Sequence, residues 1–434
     1  MFLKKIIANM HFENTIEFAK SLDANDPLRH FRQSFFIPQH YNKDTIYFTG
    51  NSLGLQPKNV KEQVLQELVD WANLGVEGHF HAKHPWVSYH ERFPQQLSKI
   101  VGALPEEIVV MNQLTVNLHL LLSTFYRPTQ QRYKIICEAK AFPSDQYALQ
   151  SQVQLHGFQP SDAIIEVLVR TGAYSSSTED ILAAIQQHKN ETAVVLIGGV
   201  NYYSGQVFDM KAITAAAHAA GAFAGFDLAH AAGNIPLQLH HWEVDFACWC
   251  SYKYLNSGPG GVAGAFIHQK HAGNTSLPRL AGWWGHDKDS RFLMEPTFQP
   301  MNTAEGWQLS NAPVLSMAAH KAALEVFEEA GFDKLIAKSK LLTSYLFFVL
   351  NEINNSSVER NIEIITPQED GMYGCQVSML MRKKGKQVFQ SLTEKGVIAD
   401  WREPNVIRVA PVPLYNSFED VWMFGNIIKT ILAQ

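Results

Sequence analysis

At 434 residues and 46% hydrophobic content, the chain can bury a large core and should divide into two domains. A formal charge of −5, with no basic run and no interleaving of basic with aromatic residues, argues against a nucleic-acid or other polyanionic partner. No stretch approaches the ~18 apolar residues of a membrane helix, and the brief Ile6-Ile-Ala8 after Lys4-Lys5 is broken by His11, Glu13 and Asn14 before a signal-peptide core can form.

In chain order, His79, His81 and His84 come first as candidate ligands, but their spacings match no metal motif and no metal is expected. Leu114-Thr115 then precedes a helical run, Val116–Thr124, and capping is the ordinary use of such a threonine. Short apolar runs at Lys134–Cys137, Ile164–Leu168, Ala193–Gly198, Ala222–Phe226, Phe246–Cys250 and Val262–Ile267 read as strands. Ser144–His156, Thr178–Lys189 and Met210–Ala220 read as helices between them, the last closed by Gly221, and Thr178 with Glu179 and Asp180 marks a helix start. Such alternation predicts an α/β fold with a mostly parallel sheet and crossover helices. Two helices follow at Ala312–Ala330 and Phe332–Ile353. Strands at Ile362–Thr366, Gln376–Met381 and Val406–Val409, a helix at Lys386–Lys395 and a last one from Ser417 make a second, smaller α/β layer.

The chemistry concentrates at Asp227-Leu-Ala-His230 and at Asp245-Phe-Ala-Cys-Trp-Cys-Ser-Tyr-Lys253. A carboxylate ends one apolar strand and a lysine lies just past the next, where an α/β sheet presents its ligand crevice. A lysine there can form a Schiff base with an aldehyde cofactor, and an aspartate can keep a pyridinium nitrogen protonated. Pyridoxal phosphate is the cofactor this pairing suggests, although both residue types are more often solvated surface groups. Of the four cysteines, Cys137, Cys248, Cys250 and Cys375, three lie in apolar runs as reduced core thiols, and a cytoplasmic setting is expected.

The segments Tyr47-Phe-Thr-Gly-Asn-Ser-Leu-Gly-Leu55, Met111-Asn-Gln-Leu-Thr-Val-Asn117, Lys140-Ala-Phe-Pro-Ser-Asp145, Gly225-Phe-Asp-Leu-Ala-His-Ala231, Cys250-Ser-Tyr-Lys-Tyr-Leu-Asn256, Gly282-Trp-Trp-Gly-His286 and Arg408-Val-Ala-Pro-Val-Pro-Leu-Tyr-Asn416 resemble kynureninase, in that family's order. The resemblance implies fold type I of the pyridoxal phosphate enzymes. It divides the chain into an N-terminal segment 1–60 that joins the small domain, a large cofactor-binding domain 61–310 and a small C-terminal domain 311–434. It also implies a homodimer with the active site between subunits, and hydrolytic Cβ–Cγ cleavage of L-kynurenine or 3-hydroxy-L-kynurenine to anthranilate or 3-hydroxyanthranilate and L-alanine.

The same resemblance assigns residues. Lys253 carries the cofactor and acts as base. Asp227 takes the pyridine nitrogen, and Leu114, Thr115 and Tyr252 take the phosphate. Phe142 stacks on the ring, Asp145 and His230 line the site, Trp283 and Asn311 reach across the interface, and Arg408 and His79, with Asn311, meet the substrate. Each has an ordinary alternative: core for Phe142, a helix cap for Asp145 or Asn311, interface packing for Trp283, a surface ion pair for Arg408. Tyr252 also stands as a proton donor. Gly198 departs from relatives that carry Ser or Thr, so any hydroxyl contact to the cofactor is absent there. Rival readings are an aminotransferase or cysteine desulfurase of the same class, and a silent binding module.

Overall fold

The computed structural model describes residues 11–274, 276–357 and 359–434; the Lys4–Ala8 stretch discussed above lies outside them. The described residues form two compact units, one within residues 60–201 and 208–322, the other within 11–59, 202–207 and 323–434. No described helix is long and apolar enough to cross a membrane.

The larger unit is built on seven strands: β1 (Ile108–Val110), β2 (Lys134–Glu138), β3 (Ile164–Val167), β4 (Thr192–Gly198), β5 (Phe223–Asp227), β6 (Phe246–Trp249) and β7 (Gly264–Ile267), in the spatial order β1-β7-β6-β5-β4-β2-β3. β3, β2, β4, β5 and β6 run parallel, whereas β7 is antiparallel to both of its neighbours. β4 reads Thr-Ala-Val-Val-Leu-Ile-Gly and is buried through Ile197, the pattern of a strand covered on both faces. The helices of this unit include α1 (Val60–Leu74), α2 (Leu114–Phe125), α3 (Pro143–Leu155), α4 (Thr178–Gln187) and α5 (Met210–Ala219). On one face Phe125 of α2 stacks on Phe246 of β6, ring centroids 4.6 Å apart, within a core that also holds Leu118, Leu121, Ile135 and Val194.

Helix ends follow local chemistry. Asp209 accepts from the Ala212 N–H at the start of α5, and Gly221 closes it at φ +73°, a left-handed conformation that glycine adopts at no steric cost. The start of α4 is capped one residue earlier than expected, by Ser177, whose hydroxyl accepts from Asp180 N–H. α2 begins at Leu114, so Thr115 sits inside the first turn and Gln113 is the residue before it. β1 is a strand that three residues after Pro105-Glu-Glu107 did not announce.

In the smaller unit four antiparallel strands, β8 (Ile362–Ile364), β9 (Val377–Met381), β10 (Asp400–Arg402) and β11 (Val406–Val409), lie in the order β8-β9-β11-β10. They share a core with the helices Phe332–Ser356 and Phe418–Leu432, through Leu346, Leu350, Met379, Ile407 and Phe424. The Asp23 carboxylate accepts from the Phe418 and Glu419 N–H groups and so caps the last helix from outside.

Candidate active site

Because β2, β4, β5 and β6 are parallel, their carboxyl ends, Glu138, Gly198, Asp227 and Trp249, come to one edge, and Gly198 is in register with Asp227 and Asp227 with Cys248. Asp227 is buried at that edge and accepts the Ala229 N–H at 2.7 Å. Asp145, in the first turn of α3, is buried beside it, and the two side chains share a hydrogen bond. Two carboxylates can do so only if one keeps its proton. Burial, then the Asp227 charge and this hydrogen bond, push Asp145 well above the usual carboxylate range, so Asp145 is the donor. Burial raises Asp227 too, while the Ala229 N–H, Asp145 and the Lys253 charge oppose that rise.

The antiparallel return of β7 explains the lysine. A chain leaving β6 and re-entering beside it must cross at the same edge, and residues 250–263 make that crossing. Ser257 N–H on Ser251 O and Asn256 N–H on Lys253 O fold the loop tightly. Lys253 Nζ lies 5.8 Å from the centre of the Phe142 ring, which α3 carries from the end of β2. Burial and the adjacent Cys250 push the Tyr252 hydroxyl up, so it is protonated at neutral pH. His230 is buried in the turn after β5 and meets Tyr254 edge to face.

β1 runs in the sense of β6, since both are antiparallel to β7, and its end brings Leu114 and Thr115 to the same edge. Gln113 does not cap α2 with its side chain, which leaves the N-terminus open to an anion. In the loop after β6, the Ser251, Asn256 and Ser257 side-chain oxygens are buried without a hydrogen-bond partner. An open helix N-terminus with buried hydroxyls, a lysine under an aromatic ring and a carboxylate at the edge fit a phosphorylated pyridine aldehyde.

The remaining residues sit on other elements. Trp283 is 49% exposed, its indole N–H on Arg291 O, and its segment runs beside that of Asn311, Trp284 N–H donating to Leu309 O; Asn311 itself is exposed. His79 is half-buried, its Nδ1 2.9 Å from Val76 O and its ring edge-on to Trp86. Arg408 belongs to the smaller unit, where it is buried and donates to Asp400 at 2.6 Å and to Tyr202 O. It is therefore not the surface ion pair considered as its alternative.

Sequence reasoning missed Glu138, which lies one residue past the strand expected at Lys134–Cys137 and in the structure ends it. It is buried, and both carboxylate oxygens lie within reach of the Gly198 N–H, at 3.1 and 3.2 Å. A glutamate ending a parallel strand next to the other strand-end residues was the available signal.

An aspartate at the end of one parallel strand, a lysine past the next and an aromatic ring over it, on this sheet, define a fold type I pyridoxal phosphate enzyme architecture. Solved structures agree at the level of fold. A cysteine desulfurase from Thermococcus onnurineus superposes with a TM-score of 0.73 at 16% identity over 95% of this chain and 98% of that one. One from Escherichia coli gives 0.74 at 16% over 93% and 98%. Closer relatives are kynureninases: 58% identical in Flavobacterium psychrophilum, covering 97% of this chain and 99% of that protein, 51% in Myxococcus xanthus, covering 97% of each, and 49% in Nematostella vectensis, covering 95% and 93%. Residues 335–428 match the family model described as the kynureninase C-terminal domain. The chain belongs to the kynureninase family.

Proposed function

We propose that the chain hydrolyses the Cβ–Cγ bond of L-kynurenine, or of its 3-hydroxy form, consuming one water and releasing anthranilate, or 3-hydroxyanthranilate, and L-alanine. Lys253 beneath Phe142, next to the hydrogen-bonded Asp145–Asp227 pair, is the observation that carries this reading, alongside full-length similarity to kynureninases.

Pyridoxal phosphate would supply an aldehyde for the substrate's amino group and a protonated ring that withdraws electron density from its α- and β-carbons. Lys253 would hold it, Phe142 would stack on its face, and Thr115, Leu114 and Tyr252 would take its phosphate. Asp227 would hold the ring-nitrogen proton, with His230 completing the wall. Asp145 fixes the Asp227 carboxylate by donating to it. Gly198 brings a backbone contact only. Lys253 Nζ is then the base for the α-proton, and Tyr252, protonated at neutral pH, is the proton donor within reach of its neighbour. Arg408 binds the α-carboxylate. The Asp400 carboxylate, flanked by Arg402 at 3.2 Å and Arg408 at 2.6 Å, leaves that group net positive while fixing the Arg408 guanidinium.

A second copy of the chain completes the assembly in this proposal. Helix α1 is inverted: Glu67 and Asp70 are buried, Glu67 accepting from Trp86 and Tyr89 and Asp70 from Gln66 and the Lys83 N–H, while Leu65, Leu68, Val69 and Trp71 face outward. Val76 and Phe80 extend this apolar face next to His79, and Trp283, Phe292, Leu293 and Met294 are exposed as well. A surface of that kind marks an interface. Trp283, Asn311 and His79 would meet the partner's site from it.

A desulfurase would need a reactive, accessible cysteine. All four thiols are buried, and burial pushes Cys137, Cys248 and Cys250 up, away from the thiolate. A silent binding module would not need Lys253, Asp227 and Arg408 together. Incubation with L-kynurenine and, separately, L-cysteine distinguishes the readings: anthranilate from the first and no sulfide from the second is expected, and the reverse would overturn the proposal.

A further inference from the structure

Glu138 has no part in the chemistry described so far, yet it sits among the residues that do. Its carboxylate caps the Gly198 N–H at the end of β4, and Gly198 is in register with Asp227 on β5. The lack of a side chain at 198 makes this contact available: a Cβ there would stand 3.0 Å from Glu138 Oε1, and whatever followed it would compete with the carboxylate for the same space. Among the described residues no cation pairs with Glu138. The charge that acts on it is that of Asp227, Glu138 in turn acts on Asp145 from α3, and the Lys253 loop contributes through Asp227. Three buried carboxyls thus share one strand edge with one nearby ammonium.

We propose that Glu138 is a positioning residue for the cofactor ring: seated on the Gly198 N–H, its carboxyl sets, by being charged or neutral, how strongly Asp227 holds a proton for the ring nitrogen. This rests on the cofactor reading above. The direction follows from Coulomb's law. An ionised Glu138 adds negative charge beside Asp227 and raises the proton affinity of the group Asp227 faces; a neutral one relaxes it. Burial first, then the Asp227 charge, push Glu138 up to about 7 against the hydrogen bonds from its own and the Gly198 N–H groups, so the switch falls in the working range.

Glu138→Gln keeps an acceptor for Gly198 and removes the charge; Glu138→Asp keeps the charge. Two readouts are used. In the apoprotein, a folded-state proton that the unfolded chain releases from about pH 4.5 upward makes stability fall as pH rises toward 7, so urea unfolding from pH 5 to 8 should show that slope in wild type and a shallower one in Glu138→Gln, where only the part due to Asp145 and Asp227 remains. In protein loaded with pyridoxal phosphate, the pH midpoint of the visible absorbance should move down by roughly half a unit or more in Glu138→Gln and stay nearer wild type in Glu138→Asp. Should Glu138→Gln fail to fold, Gly198→Ala, whose Cβ would stand 3.0 Å from Glu138 Oε1 and so shift the carboxyl on its N–H, is read by the same titration and should also move the midpoint. Wild type that binds the cofactor while the variants leave slope and midpoint unmoved overturns this proposal alone; wild type that takes up no cofactor overturns the reading on which it rests.

Discussion

Asp145 and Asp227 are 82 positions apart in sequence yet share one proton, and that sharing separates roles that a sequence gives alike to two aspartates. Asp145 acts as a donor, so Asp145→Asn, whose amide can still donate, should hold the cofactor nearly as wild type does. Asp145→Ala removes the donor and should weaken binding by about 1–3 kcal/mol, or roughly ten- to a hundredfold; fluorescence titration of apoprotein with pyridoxal phosphate measures both. In the proposed function Asp227→Asn takes away the charge that would face the ring nitrogen and should lower the turnover number on the order of a hundred- to a thousandfold. Asp227 and Lys253 were legible because each follows a run apolar enough to be a buried strand. Glu138 was not, since nothing local distinguishes a strand's last glutamate from a solvated one, and only the neighbouring strand end at Gly198 gives it a function.

The strands of the larger sheet were readable for the same reason, with ends shifted by a residue or two, because β-branched and apolar runs bounded by helices leave few alternatives. β1 escaped because three residues carry no period, and the reversed direction of β7 escaped because strand sense is written in the connection rather than in the strand. At this scale Asp245, just before β6, links elements: it accepts from His218 at the end of α5, from His271 and from the Ala224 N–H of β5, with Lys270 2.9 Å away. Burial alone would push it up, but these partners outweigh burial and hold it well below the usual carboxylate range. A carboxylate with a depressed folded-state value stabilises the fold above the unfolded-chain value near 4, and that contribution is lost as pH falls through the folded one. Asp245→Asn should therefore cost about 3 kcal/mol at neutral pH, since it strips the partners of a buried charge, and should flatten the acid limb of the stability curve; urea unfolding between pH 3 and 7 checks both.

For the whole molecule, the inverted α1 helix was not legible, because buried acids and exposed apolar residues reverse the pattern from which faces are assigned. A stable interface takes about 800 Å² from each partner, and a charge at the centre of the proposed one should prevent it: Trp71→Glu or Val69→Glu should sediment as a monomer and lose most activity, whereas a variant that stays dimeric and active would contradict the proposed interface. Above these features stands the assignment of lysine-centred cleavage chemistry to this fold. Its most direct measurement is a time course of anthranilate and alanine from L-kynurenine, with wild type and Lys253→Ala each supplied with pyridoxal phosphate. Equal amounts of the two products from wild type and none from the variant are expected. Products from Lys253→Ala at the wild-type rate, or a wild type inert toward both kynurenine and 3-hydroxykynurenine while carrying the cofactor, would contradict it.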